Sequence, residues 1–415
     1  ILIRMESVDF QITICSGSNL AHGAIASIGH HCPNAKINVL CRRPTEFGDT
    51  MVAKTDRCIW SYKGELKANI QTVSDNPADV IPGSHIVIIC SPLHVASQIL
   101  EKIKDHLDQN AIIGSVFGQG AFDLQAFHYL DTKVEDLDLT IFCLQFVPFL
   151  CKATEYGRSA EIYGPKSYLC CATYPTSRAE KTCNLVSLLF ATPTVPIANF
   201  LCLTLTPSNQ IIHPGRVYGH FKDWDGKTGF DKSKLPLLYA ELDDASADAI
   251  QALDDDIQAI KKAIVAKYPQ IDMSGLHPIK ERISYNYKDS ISDFSSLKTI
   301  FNTNDGYGKN VFPTLPHPDG KSVVLNTKGR FFYEDIPYGL CIIKNIGDLF
   351  GVSMKNTEKM ILWHQKFMDY QFIDEEGNWI EESVKKSGMP MRYGITTTYQ
   401  LVKSSFPELF STAKI

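Results

Sequence analysis

An alternating apolar run, Phe10-Gln-Ile-Thr-Ile-Cys15, leads through a small-residue turn into an alanine-rich stretch and then a second run, Lys36-Ile-Asn-Val-Leu40. Strand, tight turn, helix and strand in that order make the opening βαβ unit of a doubly wound sheet, which requires parallel pairing and a right-handed crossover. The alternation then recurs. Val80-Ile81 and His85–Cys90 supply further strand material, and Val95–Lys104 has a helical pattern. Ala111–Val116 ends in the open glycine turn Phe117-Gly-Gln119-Gly, and Thr140–Gln145 gives a sixth strand. Val147–Lys152 and Tyr156–Lys166 read as a strand and turn that close this sheet. Ser177-Arg-Ala-Glu180 has the spacing of a capping box, so a helix over Leu185, Leu188 and Leu189 ends the first domain near Phe190.

From Thr204 onward the strand alternation largely disappears. Asp243–Tyr268 places Ile250, Leu253, Ile257, Ile260 and Ile264 on one helical face, with acidic residues early and lysines late, as the helix dipole prefers. Further helices are expected over Ile343–Phe350 and Thr357–Phe367, with a loop-rich section from Asn302 to Lys328. A chain of 415 residues is too long for one ordinary core, and two domains of about 200 residues each are expected. The fold class is therefore α/β: a Rossmann-type doubly wound sheet over residues 1–203, followed by a mainly α-helical domain over 204–415.

Charge excludes some partners. The net charge is −5 with a pI near 6.2, which leaves no global basic field for nucleic acid and no polybasic membrane anchor. The twelve cysteines lie in apolar runs without Cys-x-x-Cys spacing, as reduced core thiols do in a reducing compartment; no disulfide framework and no metal site is expected. The N-terminus lacks the apolar length of a signal peptide before Glu6, and the uncharged run Asn184–Ile212 is broken by Pro193, Pro196 and Pro207 into a helix end, a linker and a second element. A cytoplasmic protein acting on small molecules is expected. Its oligomeric state is not legible in the sequence.

The candidate chemistry falls in three places. In the first βα turn, the dinucleotide fingerprint would require glycines at positions 16 and 18 and a small residue at 21. The chain reads Ser16-Gly17-Ser18-Asn19-Leu20-Ala21. A helix N-terminus still offers free N–H groups there, and a serine hydroxyl can reach a phosphate oxygen. The second strand ends in Arg42-Arg43, where an NAD-preferring site usually has an acid, which favours NADP(H) over NAD(H); a solvated arginine pair is the plain alternative. Ser91-Pro92 ends another strand at the ligand-binding edge of the sheet. In the middle of the chain, Ile212-His213-Pro214-Gly215-Arg216 sets an imidazole beside a backbone-fixing Pro-Gly pair. Gly329-Arg330-Phe-Phe-Tyr-Glu334-Asp335-Ile-Pro337 offers a fixed cation and a carboxylate, the groups needed to hold a substrate carboxylate and orient an imidazole. A core histidine is the commoner fate of any single such residue.

Several short segments, in order and spacing, resemble the opine dehydrogenase family: Val147-Pro148 with Cys151-Lys152, Tyr156-Gly157-Arg158, Ile212-His213-Pro214, Trp224-Asp225-Gly226, Arg330 with Glu334-Asp335-Ile-Pro337-x-Gly339, and Arg392-Tyr393-Gly394. The resemblance implies an NAD(P)H-dependent reductive condensation of an α-keto acid such as pyruvate with an amino acid. It also implies a dinucleotide held by the first domain and substrate held by the helical one. It assigns His213 as the catalytic histidine, Asp335 as the carboxylate that orients it, Arg330 as the clamp on the keto-acid carboxylate, and Gln119 and Cys151 as substrate-side residues near the nicotinamide.

The chain departs from the family where Ser16 and Ser18 replace glycines, where Leu20 replaces a small residue beside the pyrophosphate path, and where Gln145 stands in place of an acid on the amine side. Two other readings of the same scaffold therefore stay open: a binding or regulatory protein with impaired catalysis, and a dehydrogenase of simple 2-hydroxy acids.

Overall fold

The computed structural model describes residues 10–55 and 64–406. Its internal contacts divide the chain into two compact units, one running to Leu203 and taking in Ser405 and beyond, the other spanning Thr204–Ser404.

In the first unit, β1 (Gln11–Cys15), α1 (Asn19–His31) and β2 (Lys36–Leu40) form the expected βαβ opening, with both strands at the residues the alternation predicts. Next come β3 (Thr50–Thr55), β4 (Gly64–Asn69), β5 (Thr72–Ser74), β6 (Ile86–Ile89), α2 (Leu93–Ile103), β7 (Ile112–Ser115), α3 (Phe122–Leu130), α4 (Lys133–Asp136) and β8 (Thr140–Leu144). The main sheet has the order β5-β2-β1-β6-β7-β8, all parallel, and is extended by β11 (Leu169–Tyr174), antiparallel to β8, and by β12 (Thr194–Pro196). Strand order reverses between β1 and β6, the switch point beside which doubly wound sheets bind ligands.

The residues expected to close this sheet do not. They form β9 (Leu150–Glu155) and β10 (Ser159–Tyr163), which pair with β3 and β4 in a separate four-stranded sheet. This small sheet lies on α1, so every residue of α1 from Ala21 to Ile28 is buried, and the run of small side chains there is the consequence of two sheets pressing on one helix. Val80-Ile81, expected as strand, is a buried turn. The capping box at Ser177 is not made either: α5 (Ala179–Leu189) follows a 3-10 turn, and Arg178 takes the cap position with no side-chain bond to the helix's first amides. The short helix α6 (Phe200–Thr204) ends the unit.

The second unit begins with α7 (Asn209–Phe221) and α8 (Asp244–Lys267). Asp243 caps α8 by accepting from the Ser246 amide, and the five predicted face residues from Ile250 to Ile264 are fully buried, each contributing about 2 kcal/mol of apolar burial. Then follow α9 (Ile279–Asn286), α10 (Leu297–Asn302), the strand pair β13 (Thr314–Pro316) and β14 (Val323–Leu325), α11 (Arg330–Tyr333), a five-residue π turn over Ile336–Leu340, α12 (Cys341–Leu349), α13 (Lys355–Gln365), α14 (Glu381–Val384) and α15 (Thr398–Ser405). The stretch around His213, where the Pro214-Gly215 pair is expected to fix the local backbone, is helical, with Pro214 inside α7. Packing overrides the local signal because α7 is buried on nearly all sides.

Helices α7 and α8 touch through glycines. A methyl group at Gly219 would lie 2.4 Å from Ser246 Cα, and one at Gly215 would lie 2.7 Å from Ile250 Cγ1. We expect Gly219→Ala to cost about 1–3 kcal/mol through overpacking, measured by urea denaturation. Unchanged stability would contradict the backbone contact.

Candidate active site

Helix α7 carries His213 on a buried turn, and the π turn that follows Asp335 brings a carboxylate to it from far along the chain. The backbone of Gly339 lies against α7: a Cβ there would fall 2.3 Å from that of Gln210. That approach sets His213 Nδ1 2.7 Å from Asp335 Oδ2, with both side chains almost fully buried. The ionised Asp335 fixes Nδ1 as the protonated nitrogen and leaves Nε2 as the basic one. Nε2 meets the Tyr239 hydroxyl at 2.7 Å. The ring of Phe331 stacks on the imidazole, 3.8 Å between centroids and 19° between planes. Burial lowers the His213 pKa below its ordinary value; Asp335 opposes this through its charge and hydrogen bond, and Arg330 adds to it.

Arg330 opens α11 and is about half exposed. Among the described residues its ion pair is a loose one, Nε to Glu334 Oε2 at 3.6 Å. It therefore keeps guanidinium N–H groups for an incoming anion, and its charge is felt at both His213 and Tyr239. Glu334 is buried beside it. Burial pushes the Glu334 carboxyl up to about 7, with Arg330 pulling the other way and Asp335 adding to the rise. His213, Arg330 and Asp335, which the sequence places far apart, are thus brought together within the second unit.

Sequence reasoning missed Tyr239, Phe331 and the role of Arg216. Tyr239 sits in a loop without a motif, so nothing local marks it. Arg216, one turn from His213 on α7, is fully buried and uses all its donors. Nε bonds the Leu238 carbonyl at 2.9 Å, Nη1 bonds Asp243 and Ser246, and Nη2 bonds the Leu237 and Glu241 carbonyls. It anchors the loop that presents Tyr239. An arginine one turn from the histidine on an apolar helix was the available signal. Trp224-Asp225-Gly226, by contrast, is a structural turn in which Asp225 accepts from Lys227 and Thr228.

In the first unit, Ser16, Gly17, Ser18, Asn19, Leu20 and Ala21 join β1 to α1 at the switch point, with Ser91 and Pro92 at the end of β6 beside them. The serine hydroxyls do not wait for a phosphate, as the sequence suggested. Ser18 caps α1 by accepting from the Ala21 amide and donates to the Cys90 carbonyl, while Ser16 Oγ accepts from the Ser18 amide. Ser16 also adopts φ 125°, a glycine-like conformation that fits the fingerprint position it occupies. Leu20 is partly buried and packs against the core.

The Tyr156 hydroxyl lies over Gly17, 2.2 Å from where a Cβ would stand. Arg42 and Arg43 are both exposed; Arg43 stacks on the Tyr156 ring at 3.7 Å and pairs with Glu46 at 3.0 Å. Gln119 is buried in the turn after β7. Cys151, expected on the substrate side, is partly buried: its thiol donates to the Asn19 carbonyl at the start of α1, and burial pushes its pKa up to about 12. Ser91 Oγ is buried with no partner among the described residues. An orphaned hydroxyl at a switch point fits a dinucleotide.

Residues 196–368 match the family model described as NAD/NADP octopine/nopaline dehydrogenase, alpha-helical domain. The chain is 28% identical over 397 residues to a tauropine dehydrogenase of Arabella iricolor, covering 93% of this chain and 98% of that protein. It is 27% identical to an opine dehydrogenase of Haliotis discus hannai, covering 94% and 98%. The chain is similar to the opine dehydrogenases over nearly its whole length. A solved octopine dehydrogenase with NADH and L-arginine superposes with a TM-score of 0.82 at 23% identity, covering 94% of this chain and 97% of that one. At that identity the likeness establishes the opine dehydrogenase fold. Among the described residues no group of three or more His, Cys, Asp or Glu side chains is arranged to hold a metal, and no helix is long and apolar enough to cross a membrane.

The Glu334 carboxyl makes stability depend on pH. The folded chain holds this proton more tightly than the unfolded chain, so the contribution is fully present below the ordinary carboxyl value and is lost as pH rises through about 7. Glu334→Gln stays neutral throughout. In urea titrations the stability gap is expected to move in the variant's favour between about pH 5 and about pH 8, and a constant gap would place the carboxylate in water.

Proposed function

We propose that this chain is an NAD(P)H-dependent opine dehydrogenase that joins an α-keto acid to an amino acid and reduces the resulting imine to a secondary-amine dicarboxylate. The observation that carries this reading is the grouping of a buried imidazole, its orienting carboxylate and an underused guanidinium in one place.

In this reading Arg330 grips the keto-acid carboxylate with a bidentate fork, which a lysine cannot reproduce. His213, kept neutral by burial and held in one tautomer by Asp335, takes a proton from the substrate ammonium so that the amine becomes nucleophilic. It later returns that proton as water leaves. Phe331 holds the imidazole plane. The phosphates of the dinucleotide would be held by the backbone of Ser16–Ala21, with Ser91 and Pro92 at the facing strand end. A bound nicotinamide supplies the hydride that reduces the C=N bond. Gln119 borders the same strand edge. Small-molecule substrates, an NAD(P) cofactor and oxidoreductase chemistry at CH–NH follow from this reading, and a cytoplasmic setting is its natural one.

NADP(H) is favoured over NAD(H), on the ground that two guanidinium groups, Arg42 and Arg43, follow β2 where an acid would bond the ribose hydroxyls. Arg43 is already stacked and paired with Glu46, so Arg42 carries more of the free positive charge.

The first test is NADPH oxidation with pyruvate and a panel of amino acids. His213→Ala is expected to lose about a hundredfold or more in kcat. No turnover with any pair, or equal turnover in the variant, overturns the reading, and NADPH consumption with keto acid alone favours a 2-hydroxy acid dehydrogenase. For the cofactor, Arg42→Ala with Arg43→Ala is expected to weaken NADPH far more than NADH in fluorescence titrations. An equal loss removes the case for the phosphorylated cofactor.

A further inference from the structure

We infer that Tyr239 is a catalytic residue, the proton conduit between His213 Nε2 and the substrate amine. The inference rests on the reading above of His213 as proton acceptor. With Nδ1–H committed to Asp335, Nε2 is the basic nitrogen, and the group in contact with it is the Tyr239 hydroxyl at 2.7 Å. His213 itself is 3% exposed, whereas Tyr239 as a residue is half-buried. Its proton is directed at Nε2, and its lone pairs have no partner among the described residues. Arg330, the proposed carboxylate clamp, acts electrostatically on the same hydroxyl.

Tyr239 is not placed to swing aside. Buried Arg216 bonds the carbonyls of Leu237, Leu238 and Glu241 around it. The Leu238 amide donates to the Asn310 carbonyl at 2.8 Å, the Leu237 amide to Glu241, and the Leu242 amide to Asn302. The ring packs on Tyr307 at 4.9 Å. Rotating the Tyr239 side chain away from His213 would lose its bond to Nε2 and its packing on Tyr307, whereas passing a proton through it moves no heavy atom. The transfer balances: an N–H bond of the substrate ammonium breaks as an O–H bond forms on Tyr239. The original Tyr239 O–H bond breaks as Nε2–H forms, and the electron pair left on the amine attacks the keto carbon. Asp335 then faces an imidazolium, and the hydroxyl, now accepting from Nε2–H, presents its new proton outward for the reverse step.

Wild-type turnover is measured first, because a wild type that turns over no keto acid and amine pair overturns the functional reading and the conduit with it. Given an active wild type, Tyr239→Phe is expected to lower kcat by about a hundredfold with KM for the keto acid changed less than about threefold. The acidic limb of its kcat/KM profile should move up in pH, since the donor that favours neutral imidazole is gone. Activity within about threefold of wild type, or a loss of kcat with the limb unmoved, overturns the conduit while leaving His213 as base. A fluorinated tyrosine incorporated at position 239 keeps ring and hydroxyl and releases its proton at lower pH. The alkaline limb is expected to move down with it, and an unmoved profile in the folded, active protein overturns the proposal independently of any packing loss in Tyr239→Phe.

Discussion

A buried imidazole and a buried carboxylate, 2.7 Å apart in space and 122 residues apart in the chain, set the terms for everything around them. Leaving either without the other would strand a charge or an unpaired nitrogen in a low-dielectric interior. The backbone is shaped to prevent that. The π turn breaks the regular path between α11 and α12, and Gly339 lets that turn approach α7 closely enough for Asp335 to reach His213. Such turns carry a local cost and are common at functional sites.

The same unit contains a second buried charge centre one helical turn away. Arg216 gives each of its donors a partner, three of them main-chain carbonyls of a single loop. A guanidinium satisfied this fully serves as a fixed anchor, and it converts an irregular loop into a rigid platform for Tyr239. Helix α7 therefore carries His213 and the support for the residue that touches it, and its glycines let it sit hard against α8 so that neither can drift.

In the first unit the organising constraint is a helix pressed between two sheets. The β9–β10 hairpin covers α1 and is bonded to it through side chains. Cys151 bonds the first turn of α1, and His22, with Nδ1 on the Ser18 carbonyl and Nε2 accepting from the Gly157 amide, ties that hairpin to the turn between β1 and α1. The serines that replace fingerprint glycines are likewise committed, one as cap and one as local brace.

Periodicity alone determined the βαβ opening, the parallel strands β6 to β8, the long amphipathic helix α8 and the change from α/β to helical character near residue 204. These are local patterns whose apolar faces have one way to be buried. Spacing and residue type also marked His213, Arg330 and Asp335. Only the tertiary structure decided that Pro214 lies inside a helix, that β9 and β10 join β3 and β4 instead of the main sheet, and that Tyr239 completes the histidine's hydrogen bonds. Each of those outcomes depends on contacts between residues far apart in the chain, where burial outweighs propensity and no local motif records the partner.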